Sequence, residues 1–313
     1  LRSPGRPSVT SPPLHGEIVA AFGRHFLVKT ADNSTLICVL RGKKSGAACG
    51  DQVEIHQTAP EQGVIERILP RSALLYRSDI SREKLIAANA TQVIIVVAAV
   101  PSFSEELINR CLVAAESQRL NVLIVLNKTD LAGSSSAALD RLSLYRELGY
   151  ALLPISARND VKPLLSHLEN HLSVLVGQSG MGKSTIINAL VPAAGRATAD
   201  ISATLDAGRH TTTHARLYHL DRNTRIIDSP GVQQFGLQHL SIEDITWGFR
   251  EFRPYIDKCK FNNCRHSSEP GCALMDAMQE NKVSVRRIDL YHKLITSLRT
   301  NRIPSSPSRT KIQ

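Results

Sequence analysis

Over residues 15–69, apolar and polar side chains alternate in short runs at 16–22, 24–30, 35–40, 52–57 and 63–69. A period of two with β-branched content predicts strands, and Gly or Asp/Asn marks the breaks. Short strands packed this closely predict a small barrel of the OB type; an SH3-like barrel would leave nearly the same pattern. OB barrels often take oligonucleotides. Aromatic residues for base stacking are few here, so a purely structural role stays open.

From Thr91 the texture changes. Strands are predicted at 92–100, 121–126, 150–155, 172–176, 215–220 and 224–227, and helices at 105–118, 137–148, 161–171 and 183–190. Such alternation predicts a mostly parallel α/β sheet, with ligands at the carboxyl ends of its strands. Beyond Glu243 the pattern is helical and ends in an amphipathic stretch at 285–298. This last region is too small to build much core of its own, a deficit that a bound metal offsets. The expected organisation is multidomain α/β. A disordered tail (1–14) precedes an OB-fold β-barrel (15–73) and a sheet domain with flanking helices (74–240). A helical metal-binding domain (241–301) and a basic disordered tail (302–313) follow.

Composition sharpens this. The 313 residues carry 38 Lys+Arg against 28 Asp+Glu, a net charge of +10, and 42% are apolar. That apolar content excludes wholesale disorder, and the charge favours a polyanionic partner. The longest apolar run, 93–100, is far short of the ~20 residues of a membrane span. Residues 1–14 show no apolar signal-peptide core. The expectation is a cytoplasmic monomer with no membrane attachment.

The strongest chemical signal is Gly177-Gln178-Ser179-Gly180-Met181-Gly182-Lys183-Ser184, followed by Thr185. It fits the phosphate-binding pattern G-x-x-x-x-G-K-[ST] between a strand and a helix. The glycines let successive backbone N–H groups wrap phosphates. Lys183 supplies a cation to the β- and γ-phosphates, Ser184 a hydroxyl for Mg²⁺, and the helix N-terminus its dipole.

Asn127-Lys128-Thr129-Asp130 ends the strand predicted at 121–126. An ionised Asp is acceptor-only and suits guanine, which offers two adjacent donors. Adenine would face the carboxylate with an acceptor, a mismatch worth up to roughly 10⁴-fold. Asn127 is expected on the other edge of the base and the Lys128 stem over its face; Thr129 is the variable position. Ser156-Ala157, after the next strand, fits a loop that lends a backbone N–H to the guanine oxygen.

Asp228-Ser229-Pro230-Gly231 fits D-x-x-G, with Asp228 in the Mg²⁺ shell through water and the Gly231 N–H meeting the γ-phosphate. Upstream, Thr211, Thr212 and Thr213 lie in a loop long enough to be functional. Thr212 is the favoured Mg²⁺ cap. The residue after Gly231 is Val232, where many GTPases carry a Gln that orients the attacking water. Slow intrinsic hydrolysis follows, with His210 or a partner-supplied group positioning the water.

The order of these motifs is unusual. The guanine motif precedes the phosphate loop, whereas ordinary GTPases begin with the phosphate loop. Joining the old termini and reopening the chain elsewhere would produce this order. The second switch would then run straight into the C-terminal domain.

Cys259, Cys264, His266 and Cys272 form a Cys₃His set suited to tetrahedral Zn²⁺ with no open position, hence structural. Cys38, Cys49 and Cys111 are scattered and read as core or loop residues.

With these motifs in this order, the chain resembles the RsgA (YjeQ) family of circularly permuted GTPases over about residues 15–300. The resemblance rests on N-K-T-D, G-Q-S-G-M-G-K-S-T, G-R-H-T-T-T-H, I-D-S-P-G-V and the Cys/His cluster. It implies an OB-fold, a permuted GTPase domain and a C-terminal zinc domain. It also implies GTP hydrolysis stimulated by the small ribosomal subunit, late in that subunit's maturation, with contact to its rRNA. By resemblance Asn127, Lys128 and Asp130 bind guanine, Gly177 to Thr185 bind phosphates, and the four Cys/His residues bind zinc. Two rivals remain: a GTP-gated RNA-binding switch with negligible catalysis, and an unrelated P-loop ATPase.

Overall fold

The computed structural model describes residues 13–42, 46–77, 84–131, 133, 135–192, 215–229 and 235–300. The expected positions His210, Thr212 and Gly231, and nearly all of both expected tails, lie outside these residues. Leu14, assigned above to the N-terminal tail, instead opens the first strand and pairs with Ile55.

Strands β1 (Leu14–Phe22), β2 (His25–Thr30), β3 (Thr35–Leu40), β4 (Gln52–Ala59) and β5 (Gln62–Ile68) close a barrel. β1 pairs with both β2 and β4, while β3 runs parallel to β5, so the order closes as β1-β2-β3-β5-β4-β1. The parallel β3–β5 pair and the β1–β4 closure give an OB-like topology and separate it from an SH3-like meander. Alternation drives this closure. Val53 and Ile55 of β4 point inward to Ile18, Phe26, Val28, Leu36, Cys38 and Ile65.

A hairpin follows, β6 (Leu74–Arg77) with β7 (Lys84–Ala88), which the sequence pattern did not predict. Its strands are short, and Ala87 and Ala88 carry little strand propensity. The second layer comprises β8 (Gln92–Ala98), α1 (Glu105–Ser117), β9 (Asn121–Asn127), α2 (Ser135–Glu147), β10 (Ala151–Pro154), α3 (Leu165–Leu168), β11 (Leu172–Val176), α4 (Lys183–Leu190), β12 (Arg216–His219) and β13 (Arg225–Asp228). The strand order is β10-β9-β8-β11-β13-β12, parallel except for β12. β8 and β11 are buried along their whole length, as expected for strands covered on both faces. β12 pairs antiparallel with β1 at Ala20 and Arg216, so the sheet and the barrel are continuous.

The helix expected at 161–171 is shorter. A 3₁₀ turn, Lys162–Leu164, leads into the single turn of α3. Pro163 sits second in that turn, and Asn170 adopts φ +59°, a left-handed conformation that stops the helix before β11.

The C-terminal part holds α5 (Ile242–Trp247), α6 (Ala273–Gln279) and α7 (Val285–Thr300). Ser241 and Asp244 close a reciprocal capping box on α5. Among the described residues this part has no separate core. Phe249, Phe252, Tyr291 and Leu294 belong to the same apolar cluster as β8 and β11.

Candidate functional site

The phosphate loop joins β11 to α4 at the carboxyl edge of the sheet. Its backbone needs glycine at two places. Gly177 has φ +149°, and a Cβ there would stand 2.2 Å from the Val96 carbonyl oxygen. Gly182 has φ +94° and caps α4, and a Cβ there would stand 2.2 Å from Asn127 Nδ2. Lys183 Nζ donates to the carbonyls of Gly177 and, at 3.0 Å, Gln178, so the ammonium arches over the loop. Burial pulls the Lys183 pKa down while Asp228 opposes that shift. Burial pushes the Asp228 carboxyl up, opposed by Lys183. The two opposite charges thus share one partly desolvated corner beside the loop. Ser179, Gly180, Ser184 and Thr185 are exposed around it, and Met181 is buried beneath.

Asn127 ends β9 and is only 2% exposed. Its Nδ2 donates to the Met181 carbonyl at 3.0 Å, and its Oδ1 accepts from the Ala157 N–H at 3.0 Å. Asn127 thus ties the guanine motif, the phosphate loop and the Ser156-Ala157 loop together. The Ala157 N–H is likewise directed at Asn127. The reason is proximity. β9, β8 and β11 are neighbours, so three loops meet at one edge and a short amide spans them.

Asp130 is exposed, and its Oδ1 accepts from the Ser156 hydroxyl at 2.6 Å. That bond holds its pKa below the ordinary value. Ser156 therefore orients a carboxylate that stays ionised. Lys128 takes φ +64°, and its ammonium donates to the Val100 carbonyl at 3.0 Å, laying the stem along the edge of the sheet. The Thr129 N–H donates to Ile155 O at 3.2 Å and fastens the motif to the β10 end.

The 99–104 loop carries contacts that no motif signalled. Ser104, the N-cap of α1, donates its N–H to Gln178 Oε1 at 2.8 Å. Pro101 stands 3.4 Å from where a Cβ on Gly180 would lie. This loop follows β8, next to β11, and the rule that ligands gather at strand carboxyl ends is the signal that could have found it.

The second cluster lies beside α6 and α7. Ligand atoms of Cys259, Cys264, His266 and Cys272 all lie within 4.8 Å of one another. His266 Nδ1 is 3.5 Å from the sulfurs of Cys259 and Cys272, and those sulfurs are 3.9 Å apart. A tetrahedral zinc with Zn–S bonds of about 2.3 Å spaces its sulfurs roughly 3.8 Å apart, so the donor set fits that ion. A disulfide needs sulfurs at ~2.05 Å, so this pair is unbonded. His292 Nε2 lies 2.6 Å from the His266 carbonyl, tying α7 to the cluster. Cys38, Cys49 and Cys111 are fully buried in the apolar interior.

Comparison with known proteins agrees with this arrangement. The model of the RsgA GTPase family matches residues 68–238. A Nitrosospira multiformis protein described as small ribosomal subunit biogenesis GTPase RsgA is 87% identical over 313 residues, covering 100% of both chains. A Nitrosomonas europaea protein of the same description is 55% identical over 293 residues, 93% of each chain. Among solved structures, YjeQ from Thermotoga maritima superposes with a TM-score of 0.71 at 28% identity, covering 91% of this chain and 98% of that one. YloQ, described as a circularly permuted GTPase, gives a TM-score of 0.69 at 24% identity and shares the fold, over 96% of this chain and 100% of its own.

Proposed function

Because the chain belongs to the RsgA GTPase family, we propose that it binds GTP along the carboxyl edge of its sheet and hydrolyses it on the small ribosomal subunit, late in that subunit's maturation and in contact with its rRNA. We place it in the cytoplasm as a monomer. Among the described residues no helix is long and apolar enough to cross a membrane. The observation that carries this reading is the junction of three loops through Asn127, which brings the oriented Asp130 and the Lys183 loop to one sheet edge.

In this reading Asp130 accepts from the two donors of guanine, Asn127 meets the other edge of the base, the Lys128 stem covers its face, and Ser156 orients Asp130. The backbone from Gly177 to Thr185 takes the phosphates. Lys183 leaves its loop carbonyls for the β- and γ-phosphate oxygens. Ser184, Asp228 and Thr212 would hold Mg²⁺, which neutralises phosphate charge when bound. His210 positions the water and the Gly231 N–H meets the γ-phosphate, both assigned from the sequence alone. Cys259, Cys264, His266 and Cys272 hold a structural zinc.

GTP turnover with and without purified small ribosomal subunits tests the proposal. The protein alone should turn over slowly, since Val232 offers no hydrogen bond to the water, and subunits should accelerate it. Unchanged single-turnover hydrolysis on adding subunits favours the non-catalytic switch, which Val232 makes chemically reasonable. ATP displacing labelled GDP as well as GTP does would overturn the guanine assignment.

A further inference from the structure

A cleft of about 510 Å³ opens where the barrel meets the sheet, on the β1 and β2 side of the β12–β13 hairpin. It is lined by three permanent cations, Lys29, Arg222 and Arg225, and by His15 and His219. Two carboxylates also line it, and both are already engaged. Glu17, 8% exposed, accepts from Arg225 at 2.6 Å and from Gln52 at 3.1 Å. Asp221 Oδ1 accepts from the N–H groups of Asn223 and Thr224, both at 2.8 Å. The donors are less fully used. Arg225 Nε is buried with no hydrogen-bond partner, an uncommon state for a charged group. The Arg225 charge is met by Glu17, which leaves Lys29 and Arg222 as the lining cations available to an added anion.

We propose that this seam cleft seats a backbone phosphate of RNA, held by Lys29 and Arg222. The proposal rests on the ribosomal reading above. RNA is the source favoured because the cleft is open along the junction of two domains and the chain carries a net charge of +10. Burial, and after it Lys29 and Arg225, lower the His219 pKa, although His219 Nε2 lies 3.6 Å from Glu17. The cleft lies far along the chain from the phosphate loop and shares no residue with it.

The test is binding of purified small ribosomal subunits by the full chain across a salt series, comparing wild type with Lys29→Ala/Arg222→Ala. Neither residue belongs to the nucleotide machinery, so GTP turnover without subunits should stay unchanged and serves as a folding control. Each phosphate contact contributes close to one unit of salt slope, so the double variant should bind at least about tenfold more weakly with a slope lower by about one to two. Arg146→Ala, an exposed cation on α2, should leave both quantities unchanged. Wild-type binding with an unaltered variant overturns the cleft proposal and leaves the ribosomal reading standing. Failure of wild type to bind subunits overturns both. Inorganic phosphate separates the other source. If phosphate shifts the His219 ring signals in wild type but not in the variant, while subunit binding is equal in both, the cleft takes a small anion and the RNA assignment falls.

Discussion

Asp130 and Asn127 belong to one tetrapeptide yet have opposite environments. Asp130 stands in solvent and Asn127 is sealed between three loops. Substituting Asp130→Asn replaces an acceptor by an amide that turns a donor toward the donors of guanine. GDP affinity should fall by up to roughly 10⁴-fold in a fluorescent-nucleotide titration, with little change in stability. The depressed Asp130 pKa also sets a pH expectation. Its charged form is fully present above the ordinary carboxylate value of 3.8 and is lost only as pH falls through the lower folded value. This group therefore gives a flat GDP affinity between pH 8 and pH 5. A decline across that range would show that the Asp130 carboxyl is raised above its ordinary value and not held below it.

At the scale of elements, α1 is the joint of the molecule. Its N-cap meets the phosphate loop through Gln178, and its length meets the C-terminal part. Glu105 pairs with Arg286, and Glu116 pairs with Arg250 and Arg253. Asn109 accepts from Arg287, which is 1% exposed, paired to Glu251 and stacked over Phe249. A buried cation that loses its partner costs about 3–5 kcal/mol. Glu251→Ala should lower unfolding free energy by that amount in urea titration, whereas Glu251→Gln, which keeps one acceptor, should cost less. Equal effects would show that the charge of Glu251 is immaterial. The β6–β7 hairpin plays a second joining role. Tyr76 O accepts from Gly236 N–H at 2.9 Å, and the Tyr76 ring lies 4.4 Å from that of His239. The chain leaving the second switch is therefore pinned to this hairpin before it enters α5.

For the molecule as a whole, the zinc assignment has a consequence separate from the nucleotide. The C-terminal part shares the apolar cluster of the sheet, so loss of the metal should loosen the Cys259–Cys272 region without unfolding the sheet. Cys264→Ser should lower bound zinc from one equivalent toward none by elemental analysis, with GDP binding retained. Cooperative loss of GDP binding would show the cluster to be part of the same folding unit.

The sequence alone determined the chemistry that depends on local spacing. The glycines and lysine of the phosphate loop, the Asp130 acceptor, the soft ligands around Cys259 and the alternation of the barrel strands are each legible within a few residues, because backbone geometry and ligand spacing act over that distance. The inverted order of motifs was legible too, since order is a property of the chain. Tertiary structure decided what depends on which strands become neighbours. The contact of β8 with β11 brought the 99–104 loop to the phosphate loop, and the contact of β8 with β9 turned Asn127 inward. The pairing of β1 with β12 made the seam cleft, and the docking of the C-terminal helices on α1 buried Arg287. These are long-range pairings between segments with no shared periodicity. Their energies come from burial and from hydrogen bonds completed only when the layers meet, and no local pattern encodes them.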